Sequence, residues 1–427
     1  MSFVAAPPTA RTRNYALGLL VVVYTSNFID RQLIGIVSEP MKAELGLADW
    51  QIGLLGGLAF ALFYTILGIP IARLAERRNR VNIIAVALVT WSAMTALCGA
   101  ARTFPQLLLA RVGVGVGEAG CSPAAQSLIA DYFPPERRAT ALSIYSLGIP
   151  LGSLFGALAG GWLAEAFGWR MVFVLLGLPG IALALLVRLT MREPVRGLFD
   201  GVTKAEPAPF GEVLRTLARD RVFLHMAAGA TICSFVGYGK STFAVPLLMR
   251  GYGLELGQAA TAYALFAASA AAIGTGLGGW LADRGARSGA AWRGRVPAIG
   301  CLLGGPIILL ALWQDSLAAV GLLAFPGLIG AYLYLGPTFA ATNNAVAPRM
   351  RATAVAILYF ALNLIGLGLG PLVTGLISDL AAEGLYAGAP TASYDGLRLA
   401  MSAVALLYLW AAFHFFRAGR AMARAAD

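Results

Sequence analysis

Apolar runs of about 20 residues recur along the whole of this 427-residue chain, and that is the length an α-helix needs to cross the hydrocarbon core of a bilayer. No other feature limits the fold so strongly. One such run could be hidden in a soluble core; a dozen could not. The charge content agrees, because only 12% of residues are charged against roughly 25% in soluble domains. A transmembrane β-barrel would instead show short segments of alternating polarity. The chain therefore reads as an all-α integral membrane protein.

We read twelve spans, at about 15–37, 52–74, 81–101, 106–130, 139–164 and 170–190, then 222–249, 258–282, 296–313, 317–345, 353–380 and 396–416. The 191–221 stretch is the one long polar interval and carries Pro194, Pro207 and Pro209. It divides the chain into residues 1–190, a linker at 191–221, and residues 222–427, each flank holding six spans. The N-terminal stretch leads straight into a span without a cleavable signal pattern.

The net charge of +11 would fit a nucleic-acid partner, but its distribution argues for a membrane instead. Of 32 Lys and Arg, 24 fall on the side of the termini, the linker and the 2–3, 4–5, 8–9 and 10–11 loops. Five fall on the other side, and Arg31, Arg111 and Lys240 lie within spans. The positive-inside rule then puts both termini in the cytoplasm of a multi-pass plasma-membrane protein, a bacterial inner membrane being the natural setting. The basic loops sit against anionic membrane lipid, and no nucleic acid is expected.

The four cysteines, Cys98, Cys121, Cys233 and Cys301, have no metal-like spacing and read as buried thiols. The two histidines, His225 and His414, lie near span ends without an HExxH pattern. "GCSPA" is not a nucleophile elbow, and "GVGVGEAG" lies mid-span without a βαβ context. Neither an enzyme, a metal site nor a bound cofactor is expected.

The halves echo one another. "ARLAERRNR" follows the second span and "GWLADRGAR" the eighth, each with Leu-Ala, an acid and an arginine. The fifth span carries Gly148, Gly152, Gly156 and Gly160, and the eleventh Gly366 and Gly370. Glycines four apart line one helical face and let backbones approach. Duplicated halves around a central site are how repeat-built transporters achieve alternating access.

These loops and this architecture resemble the major facilitator superfamily. "GWLADRG" fits its loop motif well, while "ARLAERRNR" departs from it at Ala72, Glu76 and Asn79. "NFIDR", "ERRNR" and the 111–162 stretch beginning "RVGVGVGEAG" together resemble the Spinster branch, whose members move lysophospholipids and sphingosine phosphates. The resemblance implies the major facilitator fold, twelve transmembrane helices in two six-helix bundles, and a monomer. It also implies that Glu76, Arg77, Asp283 and Arg284 are cytoplasmic gating residues, with Asp131 a partner for those arginines.

An ionisable group at membrane depth is expensive and marks function by default. The sequence offers Asp30, Arg31, Arg111, Glu118 and Lys240. Arg111 and Glu118 are seven residues apart, so they share a helical face but stand roughly 10 Å apart along it. A partner from a neighbouring helix must intervene. Asp30 and Arg111 sit at similar depths, which permits a pair. We therefore expect proton binding at Asp30 and Glu118. Substrate contacts are expected from Arg31 and Arg111, whose guanidinium forks suit a phosphate, and from Lys240, Asn27 and Tyr359. The expected activity is proton-gradient-driven transport of an amphiphilic lipid with an anionic headgroup. A proton-coupled drug or metabolite carrier, or an organic-anion carrier, is the alternative.

Overall fold

The computed structural model describes residues 8–199 and 208–424, and among them the regular structure is helical. Eleven helical stretches are long and apolar enough to cross a membrane. They are Ala10–Ile36, Asp49–Arg77, Arg80–Ala100, Pro135–Phe167, Trp169–Thr190, Arg221–Tyr252, Leu256–Ala286, Trp292–Leu312, Leu317–Asn344, Thr353–Glu383 and Ala392–Arg424. They match eleven of the twelve spans read from the sequence. The fourth span falls outside that group: it consists of Phe104–Glu118 and Cys121–Tyr132, and it holds Arg111, Glu118 and Asp131. The break falls at Ala119 and Gly120, directly after the buried Glu118.

The described residues divide into two compact units. One lies within Met1–Leu47, Ala59–Lys204 and Leu256–Thr261; the other within Ala48–Leu58, Ala205–Glu255 and Ala262–Asp427. The second unit thus includes the opening turns of the second span. The reason is local: Asp379 caps that helix. Its two carboxylate oxygens accept from the backbone N–H groups of Asp49 and Trp50, at 3.0 and 2.8 Å. A carboxylate at a helix N-terminus satisfies orphan donors and complements the helix dipole.

In the first unit the glycine stripe of the fifth span faces the first. A Cβ at Gly152 would stand 2.5 Å from the Thr25 carbonyl oxygen, so only glycine allows this approach. In the second unit the eleventh span contains a widened π-helical stretch, Leu362–Leu369. Part of the polar linker is also ordered. Phe210–Arg219 forms a helix whose Val213 and Leu217, four residues apart, bury against Phe223, Val346, Met350 and Ala354.

Candidate functional site

The charges flagged within the first and fourth spans are buried together in the first unit. Asp30, Arg111 and Glu118 are each 1% exposed or less, and Asn27 is buried beside them. The partner that Glu118 takes from a neighbouring helix is Arg31. Its Nε donates to Glu118 Oε2 at 2.9 Å. Its guanidinium also lies over the rings of Phe28, Phe60 and Tyr64, at 4.9, 4.8 and 4.6 Å. Three ring faces and one carboxylate hold this cation out of water. Arg111 also sits over the Phe60 ring, 5.6 Å from its centre. Asp30 has Glu118, Arg111, Thr95 and Arg31 as its electrostatic neighbours. Two acids and two guanidinium groups therefore form one mutually interacting set.

Adjacent residues on one helix point about 100° apart, which is why Asp30 and Arg31 turn to different neighbours. The set is not saturated. Asp30 Oδ1, Glu118 Oε1 and Arg31 Nη2 are buried without a hydrogen-bond partner among the described residues. Unmet capacity of this kind is costly in a medium without water. A proton or an anionic oxygen arriving here would find donors and acceptors waiting.

The glycines of the fourth span make room for this arrangement. A Cβ at Gly115 would lie 2.6 Å from the Phe60 carbonyl oxygen, and one at Gly117 would lie 2.6 Å from the Trp91 backbone nitrogen. Both neighbours are backbone and cannot step aside. The run "GVGVG" thus brings the second and third spans close around the charged pair.

The other expected substrate residues fall in the second unit. Lys240 is buried, with its Nζ 4.9 Å from the centre of the Tyr408 ring and no hydrogen-bond partner among the described residues. Cys233 and Cys301, whose sulfurs are 3.4 Å apart, are its electrostatic neighbours. Tyr359 is half exposed and packs its ring 5.2 Å from that of Phe339.

The expected gating residues are dispersed differently. Glu76, Arg77, Asp283 and Arg284 are all exposed, and Arg284 lies over the Trp280 ring. Asp131 is buried, and its hydrogen-bonded arginine is Arg80, three residues beyond Arg77 and across the break between two helices. Arg80 Nη1 reaches Asp131 Oδ2 at 2.5 Å and Ser127 Oγ at 2.8 Å, while its Nε reaches Glu193 Oε1 at 2.6 Å. The backbone N–H of Gly197 donates to the other Asp131 oxygen at 2.9 Å. Arg196 donates to the carbonyls of Glu76 and Arg78. The chain after the sixth span is thereby tied across the 2–3 loop. Arg80 is the last residue of "ERRNR" and the first of the third helix, so its position at a helix start was the available signal.

A second buried ion pair was missed in the sequence. In the second unit, Arg250 Nη2 and Nη1 contact Asp49 Oδ1 and Oδ2 at 2.7 and 2.9 Å, and Ser378 Oγ donates to Asp49 Oδ2 at 2.7 Å. This two-pronged geometry is the strong form of the arginine–carboxylate pair. Both residues sit at span ends, where charges are ordinary and attract no notice.

Comparison with known proteins agrees with this architecture. The sequence model of the Major Facilitator Superfamily matches residues 20–371. The chain superposes on a crystal structure of a bacterial homologue of the human lysosomal transporter Spinster with a TM-score of 0.89. The two are 37% identical, and the match covers 98% of this chain and 99% of that one. An MFS-type efflux pump of Mycolicibacterium smegmatis is 36% identical over 409 residues, 94% of this chain and 93% of the pump. The human protein spinster homolog 1 is 28% identical over 398 residues, 85% of this chain and 73% of that protein.

Proposed function

The chain belongs to the Major Facilitator Superfamily, as a Spinster-type multi-pass membrane transporter and not an enzyme, and from that premise we propose that it is a proton-coupled carrier of an amphiphilic lipid with an anionic headgroup. The observation that carries the proposal is the Arg31–Glu118 pair at 2.9 Å, buried with Asp30 and Arg111. Two acids balance two guanidinium groups. Adding one proton to Glu118 neutralises the partner of Arg31 and leaves a cation among aromatic rings. That cation is then free to hold a phosphate, for which its planar fork is suited. Removing the phosphate restores the need for the carboxylate, and the proton leaves. Proton and anion binding are thus linked through one side chain, with Asp30 and Arg111 setting the local charge. Asn27, Lys240 and Tyr359 are proposed as further substrate contacts. Glu76, Arg77, Asp131, Asp283 and Arg284 are proposed for gating. The protein is proposed to act as a monomer in a bacterial inner membrane, with the proton gradient as its energy source and both termini in the cytoplasm.

The test is uptake of a fluorescent lysophospholipid into proteoliposomes under an imposed pH gradient. Transport should follow the gradient and fall at least tenfold in Asp30→Asn and Glu118→Gln. Gradient-driven transport that survives in both variants would overturn the coupling assignment. The relative named as an efflux pump favours the second reading, a proton-coupled drug or metabolite carrier, or an organic-anion carrier, of the same superfamily. That reading gains if a lipophilic cation dye is moved and lysophospholipid neither moves nor competes.

A further inference from the structure

The chain has two histidines, 189 residues apart in sequence, and the fold brings them together. His225 Nδ1 and His414 Nδ1 are 3.0 Å apart, with ring centres 5.2 Å apart. Both are partly exposed, where the seventh span begins and the twelfth nears its end.

At that separation one ring donates its Nδ1–H and the other accepts. The accepting ring must then carry its proton on Nε2, on the far side from its partner. The pair therefore presents at least one N–H outward, and two when it holds an extra proton. Arg221 lies four residues before His225 and Arg417 three residues after His414, so each shares its histidine's helical face. Both arginines are exposed, and both are electrostatic neighbours of His225. Among the described residues, no carboxylate is an electrostatic neighbour of either histidine. The nearby Asp220 uses its carboxylate to cap the seventh span, accepting from the Phe223 N–H at 2.8 Å.

Below this cationic cluster the surface turns apolar. Trp410 is 55% exposed and Phe413 53%. The Trp410 and Phe413 rings lie 5.7 and 5.6 Å from that of His414, and Arg417 lies 6.0 Å from the centre of Phe413. Exposed cations beside exposed aromatic rings match the polarity profile of one lipid molecule at the bilayer interface. We propose that this surface binds an anionic phospholipid of the surrounding bilayer. Its phosphate is held by Arg221, Arg417 and the outward N–H of the histidine pair, and its acyl chains lie along Phe413 and Trp410. This lipid is a resident of the surface and distinct from the transported cargo.

The test is native mass spectrometry of the full chain with palmitoyl-oleoyl phosphatidylglycerol, against palmitoyl-oleoyl phosphatidylcholine. The wild type should retain phosphatidylglycerol preferentially. Arg221→Gln with Arg417→Gln should weaken that retention about thirtyfold, from the contribution expected of two interfacial arginines. His225→Gln with His414→Gln should weaken it also. Arg287→Gln with Arg293→Gln removes equal charge elsewhere and should leave it unchanged. Equal loss in that control, or no loss in the first pair, would overturn the site. A second measurement needs no arginine variant: quenching by dibrominated phosphatidylglycerol should fall when Trp410→Phe removes the indole beside the site. Unchanged quenching there would place the lipid elsewhere.

Discussion

Arg31 owes its position to Glu118 and three rings, and the two kinds of partner are not equivalent. Rings can share a cation with lipid or water, but only the carboxylate cancels its charge. Glu118→Ala should leave a buried guanidinium unbalanced and cost about 3–5 kcal/mol, visible as a lowered melting temperature in detergent. Arg31→Leu with Glu118→Leu should recover most of that loss, because it removes both desolvated charges. A double variant no more stable than Glu118→Ala would show that the pair is not the source. Glu44 offers a contrasting case outside the spans. Its carboxylate accepts from the Trp169 indole at 2.6 Å and pairs with Arg170 at 2.8 Å. The Arg170 and Trp169 hydrogen bonds hold its pKa below the ordinary glutamate value. The stabilisation is therefore present at neutral pH and is lost as pH falls through that lowered value. The melting-temperature gap between wild type and Glu44→Gln should close on acidification, and a gap that widens would refute the assignment. Asp30, Arg111 and Glu118 were legible in the sequence because a charge in an apolar run is conspicuous. The choice of Arg31 as the partner of Glu118 was not. Depth and azimuth limit the candidates, but the rings of Phe28, Phe60 and Tyr64 make the selection, and they come from two separate helices.

At the scale of elements, eleven span limits were legible because about 20 apolar residues leave little freedom. The break in the fourth span was not, since glycines at 113, 115, 117 and 120 signal close packing and interruption alike. The structure separates the two: 115 and 117 meet neighbouring backbone, and the helix is interrupted at 119–120. Gly117→Ala should therefore destabilise by about 1–3 kcal/mol, as overpacking against an immovable neighbour does. A thermal melt of that variant indistinguishable from wild type would show that the third span can yield. The linker helix was hidden for another reason. Val213 and Leu217 are buried while the equally apolar Phe210 and Leu214 of the same short helix are exposed, and the partners Val346 and Met350 lie more than 120 residues away in sequence.

For the whole molecule, orientation rests on the asymmetry of basic residues and is open to direct measurement. A maleimide that cannot cross membranes should label Arg287→Cys from the cytoplasmic face and Arg102→Cys from the opposite face, in a background lacking the four native cysteines. The reverse pattern would invert the topology. The acid-Arg loops suggest an internal duplication, yet the two compact units differ in their buried charges. The buried acid–guanidinium set lies in the first unit, while the second holds Lys240 with no hydrogen-bond partner among the described residues. The eleventh span shows how the second unit keeps one long helix in phase. Among its buried residues, Ala354, Leu358, Leu362, Gly366, Gly370, Thr374 and Ser378 recur at intervals of four, with Leu367, Gly368, Pro371 and Gly375 buried beside them. On an ideal helix each such step rotates about 40° past a full turn, or about 240° over the six. A seam drawn that way would spiral off the packed side. The wider turns at Leu362–Leu369 rotate less per residue and wind the seam back. They act as a vernier between two rulers, so one residue gained or lost inside this stretch would rephase every side chain beyond it, including the Ser378 and Asp379 that hold Asp49.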